Sequence, residues 1–382
     1  MSTPSREAGG RAPQRTPVTF VTGFLGSGKT SFINAALRAP AMARSVVVVN
    51  EFGEVGLDHQ LVAQSSDSVM VLENGCLCCT VRSDLVGTLY ALYHDREAGR
   101  IPRFDNVVIE SSGLAEPGPV LQAFLSEPTL DGLYRVARVV TLVDAVNWPE
   151  TSRRHDEAIR QVAFADHVFL TKLDLVVGDA GKAEAALRGE IAALNPEAEV
   201  AAVEREPEAI AALLTAPGFD PADPQADPRP WLKLAAHESR DEHHYDQDGH
   251  DHDHHDHAAH GHLHGREIES FVLTRDNPLS REELRFLLDG IAQNLGPGLL
   301  RVKGLVDIAD EPGRPAVIQG AQHLLHTMTW LEKWPDDDRR TRIVFIVQGM
   351  AAAEVREMVE LLDRVGARTF RARERARARD DG

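Results

Sequence analysis

"GFLGSGKT", Gly23 to Thr30, meets the pattern G-x-x-x-x-G-K-[ST] at every fixed position. Its setting gives the match meaning, because the apolar run "PVTFVTG" leads into it and "KTSFINAALRA", with helical spacing, leads out. Gly23, Gly26 and Gly28 let the backbone fold tightly around Ser27 and turn its N–H groups toward phosphate. The helix that starts there adds the positive end of its dipole. Lys29 is expected at the β- and γ-phosphates and the Thr30 hydroxyl on Mg²⁺.

Working outward, short Val- and Ile-rich runs alternate with amphipathic stretches: "SVVVVNE", "SVMVLEN", "NVVIESSG", "RVVTLVDA", "HVFLTKL" and "AEVAAVE" read as strands. Runs so continuously apolar suit strands buried on both faces of a parallel sheet. "SDLVGTLYALYHD", "GPVLQAFLS" and "KAEAALRGEIAALN" read as helices between them. The fold class is α/β: a P-loop NTPase parallel sheet with helices on both faces. After the Pro-, Ala- and Asp-rich residues 205–236 and a low-complexity block over 237–264, strand and helix patterns resume at "REIESFVLT", "SREELRFLLDGIAQN", "GLLRVKGLVDIA", "RIVFIVQG" and "AAAEVREMVELLDRV". That order gives a smaller α+β C-terminal domain. The expected division is a disordered tail over 1–16, a P-loop domain over 17–215, a linker over 216–266 and a second domain over 267–382.

The 59 acidic against 41 basic residues, a formal charge of -18, argue against a nucleic-acid partner, which needs clustered Lys and Arg. "RTFRARERARAR" near the end reads as a solvated helix of mixed charge. No run of 18 apolar residues occurs and "MSTPSREAGGRAPQRTP" lacks an apolar core of its own, so no membrane association and a cytoplasmic location are expected.

"VVIESSG" ends an apolar strand in Glu110, where a P-loop fold keeps an acidic group near the metal's water shell, with Gly113 positioned to meet a γ-phosphate. "TKLD" ends another. Asp174 can accept from both the N1–H and the 2-amino group of guanine, a donor pair adenine lacks, while Lys172 lays its stem along the base. GTP is therefore expected over ATP.

All three cysteines, Cys76, Cys78 and Cys79, fall within four positions of "ENGCLCC". In an extended segment Cys76 and Cys78 share a face, and thiolates select Zn²⁺, Co²⁺ or Cu⁺ over Mg²⁺. A closed zinc site takes four protein ligands. Three local thiolates leave a position for Glu51, Glu54, a histidine or water, and a metal so held can be passed on. A redox thiol pair or an inert cluster are the competing readings. Eleven of seventeen histidines lie within 237–264, among them His250, His252, His254, His255 and His257, interleaved with carboxylates as in a metal-collecting arm. His323 and His326, three apart, would share a helix face. Trp148, Trp231, Trp330 and Trp334 read as packing residues or partner anchors.

In order, "GFLGSGKT", "NEFGEVGLD", "ENGCLCC" with "ESSGLAEP", and "TKLD" resemble the CobW-type family of P-loop GTPases, with "RVKG", "VIQGAQH" and "RIVFIVQG" matching its C-terminal part. The resemblance implies phosphate and Mg²⁺ binding at Gly26, Ser27, Gly28, Lys29 and Thr30. It places Glu51, Gly53, Glu54 and Asp58 in a first switch and Glu110 and Gly113 in a second, and makes Cys76, Cys78 and Cys79 a C-x-C-C metal motif. Thr171 stands where such GTPases more often carry Asn, which softens the expected guanine preference. The implied function is a GTP-hydrolysing metallochaperone that binds zinc or a similar transition metal and transfers it in a GTP-dependent way, catalytic at Lys29, Thr30, Glu51 and Glu110, with GTP, Mg²⁺ and Zn²⁺ or Co²⁺ as its cofactors. It would be a monomer or a metal- or nucleotide-dependent homo-oligomer that serves a client metalloprotein through its C-terminal domain. A cobalt-handling protein of cobalamin synthesis, a nitrile hydratase activator and a passive metal store are the alternatives.

Overall fold

The computed structural model describes residues 15–50, 70–73, 81–203, 206–220, 223, 227–232, 268–321, 324–325 and 328–380. Seven parallel strands form the first sheet: β1 Thr16–Thr22, β2 Ser45–Asn50, β3 Met70–Glu73, β4 Asn106–Ser111, β5 Tyr134–Asp144, β6 His167–Thr171 and β7 Glu199–Ala202, in the order β3-β2-β4-β1-β5-β6-β7. Helices α1 Lys29–Ala36, α2 Val81–Glu97, α3 Pro117–Ser126, α4 Pro128–Leu133, α5 Trp148–Arg154, α6 Asp156–Ala163, α7 Ala180–Leu194 and α8 Pro207–Thr215 connect or cover them.

Alternation along the strands sorts side chains between two cores. Val18 and Phe20 of β1 face Leu85, Leu89, Val120, Phe124 and Leu130 of α2, α3 and α4. Val21, on the opposite face, joins Phe32, Ile33, Ile210 and Leu214 of α1 and α8. Val47, Val48, Val107, Val108 and Val140 are fully buried, which explains why the central strands read as unbroken valine runs. A third core packs Trp148, Ala158, Val162, Leu187 and Ile191 of α5, α6 and α7 on β5 and β6, with the Trp148 indole donating to Glu190 at 3.0 Å.

Two stretches differ from their expected extents. Thr16, assigned to the tail, is 5% exposed and opens β1. Within the expected linker, Asp220 pairs with Arg15 and Arg135 at 2.9 and 3.1 Å, and Leu232 packs among Leu305, Val317, Leu331 and Trp334 of the second domain.

That second domain is an antiparallel sheet of β8 Ile268–Arg275, β9 Leu299–Val306, β10 Ala316–Ala321, β11 Leu324–Leu325, β12 Thr329–Trp330 and β13 Thr341–Gln348, ordered β11-β10-β9-β13-β8 with β12 on β10. Helix α9, Arg281–Leu295, starts at a capping box of Ser280 and Glu283, and α10 runs Ala352–Asp380, through the arginine-rich tail. Both helices pack on one face. The helix expected across 323–326 is replaced by strand, because Leu324 and Leu325 pair with Ala321 and Gly320 and extend the sheet edge; His323 and His326 themselves lie outside the described residues.

The other face meets the first domain. Ile268, Leu300 and Ile346 pack against Ile159, Ala163 and Phe164, and Arg301 and Lys303 both donate to Asp166, at 2.6 and 3.0 Å. Burial works against ionisation of Asp166, but the Arg301 and Lys303 cations and the Val139 amide hold its carboxyl far below the usual carboxylate range. Burial beside Arg301 lowers Lys303 in turn.

Candidate functional site: the carboxyl rim of the parallel sheet

Every strand of a parallel sheet ends at the same rim, and there the motifs meet. The phosphate loop leaves β1 through Gly23, whose φ of +140° and close approach exclude a side chain: a Cβ would lie 2.4 Å from the Leu142 carbonyl oxygen. Gly26 and Gly28 also take positive φ, +72° and +96°, and Gly28 caps α1. Lys29 opens that helix, 8% exposed, and arches back over the loop to donate from Nζ to the carbonyls of Gly23 at 2.9 Å and Phe24 at 3.3 Å. Ser27 is buried and its Oγ has no hydrogen-bond partner. From α1 the Thr30 hydroxyl donates to Glu110 Oε1 at 2.7 Å, joining the loop to the end of β4.

The loop after β4 crosses directly above. A Cβ on Gly113 would lie 2.8 Å from the Leu25 amide nitrogen, so glycine is required where the two loops touch. Ser111 donates to Thr22 at 2.9 Å, fixing the start of the loop against β1.

At the far side β6 delivers "TKLD". The Thr171 hydroxyl donates to the Ser27 carbonyl at 2.9 Å and lies 3.2 Å from that of Val143. It buttresses the phosphate loop where a longer amide was the residue to expect. Lys172, left-handed at φ 58°, donates from Nζ to Asp144 Oδ2 at 2.7 Å. Burial opposes ionisation of Asp144, yet Lys172, Asn147 and the Asn147 and Val146 amides together hold its carboxyl below the usual range. Asp174 is exposed on the 3₁₀ turn Leu173–Leu175.

Two residues of this site carried no sequence motif. Asp144 is the last residue of β5 and Glu110 the last but one of β4, so the carboxyl-end position of a buried strand was the available signal. Gln161 of α6, 1% exposed, donates to the carbonyls of Gly113 at 3.1 Å and Ala115 at 3.0 Å, and nothing in its local pattern marked it.

The donor set fits a nucleotide with its magnesium ion. A glycine-shaped cradle, a buried lysine, an unpartnered serine hydroxyl at a helix N-terminus, and a hydroxyl beside a carboxylate are the groups such a pair needs. Glu51, Glu54, Asp58, Cys76, Cys78, Cys79, His250, His252, His254, His255 and His257 lie outside the described residues. Among those described, no group of three or more His, Cys, Asp or Glu is gathered as for a metal ion, and no helix is long and apolar enough to cross a membrane.

Fold and rim together define a P-loop GTPase followed by a separate antiparallel-sheet domain. Residues 17–202 match the CobW/HypB/UreG nucleotide-binding domain and residues 268–362 the cobalamin synthesis protein CobW C-terminal domain. The chain is 31% identical over 339 residues to the zinc chaperone YjiA of Escherichia coli, spanning 89% of this chain and 96% of that one. It is 28% identical over 377 residues to the zinc chaperone CobW of a Sinorhizobium species, spanning 91% and 97%. The crystal structure of Zn(II)-bound YjiA GTPase superposes with a TM-score of 0.59 at 26% identity, covering 92% of this chain and 99% of that one. The chain belongs to the CobW family of P-loop GTPases, a family of metal handling.

Proposed function

We propose that the chain hydrolyses GTP to control the holding and release of zinc through Cys76, Cys78 and Cys79, and that it passes the metal to a client protein in the cytoplasm. The observation that carries this reading is the pairing of β2 with its two neighbours. Val49 pairs with Glu73 of β3 on one side and Asn50 with Ser111 of β4 on the other. β3, β2 and β4 therefore end side by side next to Glu110, and in the sequence Glu51 directly follows the end of β2 and Cys76 stands three residues after that of β3. The zinc-chaperone names of the two relatives support the choice of metal.

In this reading Thr30 and Glu110 would hold Mg²⁺, which when bound would supply positive charge to the phosphates. Lys29 exchanges its two loop carbonyls for phosphate oxygens. The loop amides and the α1 N-terminus take the charge that develops, which is where most of the acceleration of phosphoryl transfer arises. Asp174 and Lys172 receive guanine. Glu51 orients the attacking water or completes the zinc shell. The histidines around His250 to His257 collect metal, and the C-terminal domain receives the client.

The test is titration of Zn²⁺, and separately Co²⁺, into the full chain with a slowly hydrolysed GTP analogue, with GDP and without nucleotide, beside a variant with Cys76→Ser, Cys78→Ser and Cys79→Ser. Tighter zinc binding with the analogue, lost in the variant, is the expected result. Binding that ignores both nucleotide and cysteines would make the chain a metal store.

A further inference from the structure

Helix α6 is buried on two sides at once. Ala158 and Val162 face β5, β6 and α7, while Ile159 and Ala163, with Phe164 beyond its end, pack on Ile268, Leu300 and Ile346 of the second domain. Between those stripes stand two consecutive polar residues. Gln161 donates to the carbonyls of Gly113 and Ala115. Arg160 pairs with Glu116, the next residue of the same loop, and donates from Nε to Gln348 Oε1, the last residue of β13, at 2.8 Å. The loop's exit is held in the same way, since α3 begins at Pro117 and lies on β10 and β11.

The loop over Ser112–Glu116 is thus enclosed by the phosphate loop on one side and by α6 on the other. With its Cα against Leu25 and its carbonyl on Gln161, Gly113 cannot shift toward a γ-phosphate without moving α6 or breaking these hydrogen bonds. A packed helix transmits such a displacement instead of absorbing it. We propose that Arg160 and Gln161 are positioning residues for GTP hydrolysis and that, through Gln348, the C-terminal sheet sets how the loop answers GTP as against GDP. The link is reciprocal: whatever binds the C-terminal sheet and strains Gln348 changes the preference for GTP by the factor by which GTP changes that binding. This rests on reading Gly113 as the γ-phosphate contact.

The experiment uses the full-length protein and fluorescent-nucleotide competition to obtain Kd for GDP and for a slowly hydrolysed GTP analogue with Mg²⁺, together with kcat and KM for GTP. Variants are Gln348→Ala, Arg160→Ala and Gly113→Ala. Gln348→Ala removes one half-buried side chain at the seam, so the link is still tested if Gly113→Ala, whose Cβ would crowd Leu25, fails to fold. Gln348→Ala and Arg160→Ala are expected to leave GDP affinity unchanged and to lower the analogue-over-GDP preference and kcat by about 3- to 30-fold, the range for residues along a coupling path. Gly113→Ala is expected to abolish the preference. If Gly113→Ala does so while the other two bind and turn over like the parent chain, the link through α6 is wrong and the loop reading stands. If Gly113→Ala also keeps the preference, the loop reading fails and the link fails with it.

Discussion

The two ends of β6 carry the same chemistry in opposite settings. At its start Asp166 is enclosed by Arg301 and Lys303, with Lys303 only 4% exposed. Past its end Lys172 reaches Asp144, with the lysine 34% exposed. The first is a buried junction between domains, in which each charge depends on the others. In the second the Asp144 carboxylate is itself enclosed, 10% exposed, but the lysine is open to the rim, where a ligand can compete for it. Burial of the cation, more than the identity of the residues, decides whether a Lys–Asp pair is a fastening or a site.

Asp166→Ala should break the comparison most severely. It leaves two cations buried without their carboxylate, at a cost of about 3–5 kcal/mol in urea unfolding. Replacing Asp166, Arg301 and Lys303 together by apolar residues of similar size should recover most of that loss, and failure to recover would show a role beyond charge.

The same junction fixes the acid response. The folded pKa of Asp166 lies far below its unfolded value, so its contribution is complete above that unfolded value and disappears as protons bind the native carboxylate. Unfolding free energy should therefore be flat in this respect down to about pH 4 and fall below it, with a shallower fall in Asp166→Asn, as read by denaturant melts at stepped pH.

At the rim, Lys29→Ala should lower kcat for GTP by about 10²–10³-fold, the loss typical of one preorganised donor, with the thermal midpoint little changed. Thr171→Val removes a buried hydrogen bond to the phosphate loop, at about 1 kcal/mol, and nucleotide titration should show about fivefold weaker binding. Asp144→Ala removes a carboxylate that accepts from Lys172, Asn147 and Val146, at about 1 kcal/mol, and it should reduce the GTP-over-ATP preference because Lys172 loses the partner that orients it. A stability loss matching that of Asp166→Ala would erase the distinction between the two ends.

The parallel sheet was legible because its central strands are buried on both faces, and Val46 to Val49 or Val107 to Ile109 have no other comfortable place. The phosphate loop was legible because Gly23, Lys29 and Thr30 act within eight residues of one another. Arg160 and Gln161 were not, since their partners Glu116, Gly113 and Gln348 lie 44, 48 and 188 residues away, and a short helix that also carries Asp156 and Glu157 looks like any surface helix. Asp166 was hidden likewise: "FADHVF" looks like an ordinary strand entry until β9 brings Arg301 and Lys303 to it. The unexpected strand at Leu324–Leu325 has the same origin, because pairing with β10 outweighs the local helical spacing of "QHLLHTMTW".

The apolar seam between the domains bears on how the protein can be dissected. A fragment ending before β8 would keep every nucleotide-binding residue described at the rim, yet it would bring Ile159, Ala163 and Phe164 into water as one contiguous greasy surface. Beside them Asp166 would have lost both its cations. Such a piece would self-associate in dilute buffer and its turnover would report on aggregates, so the smallest honest unit for enzymology is the two-domain chain.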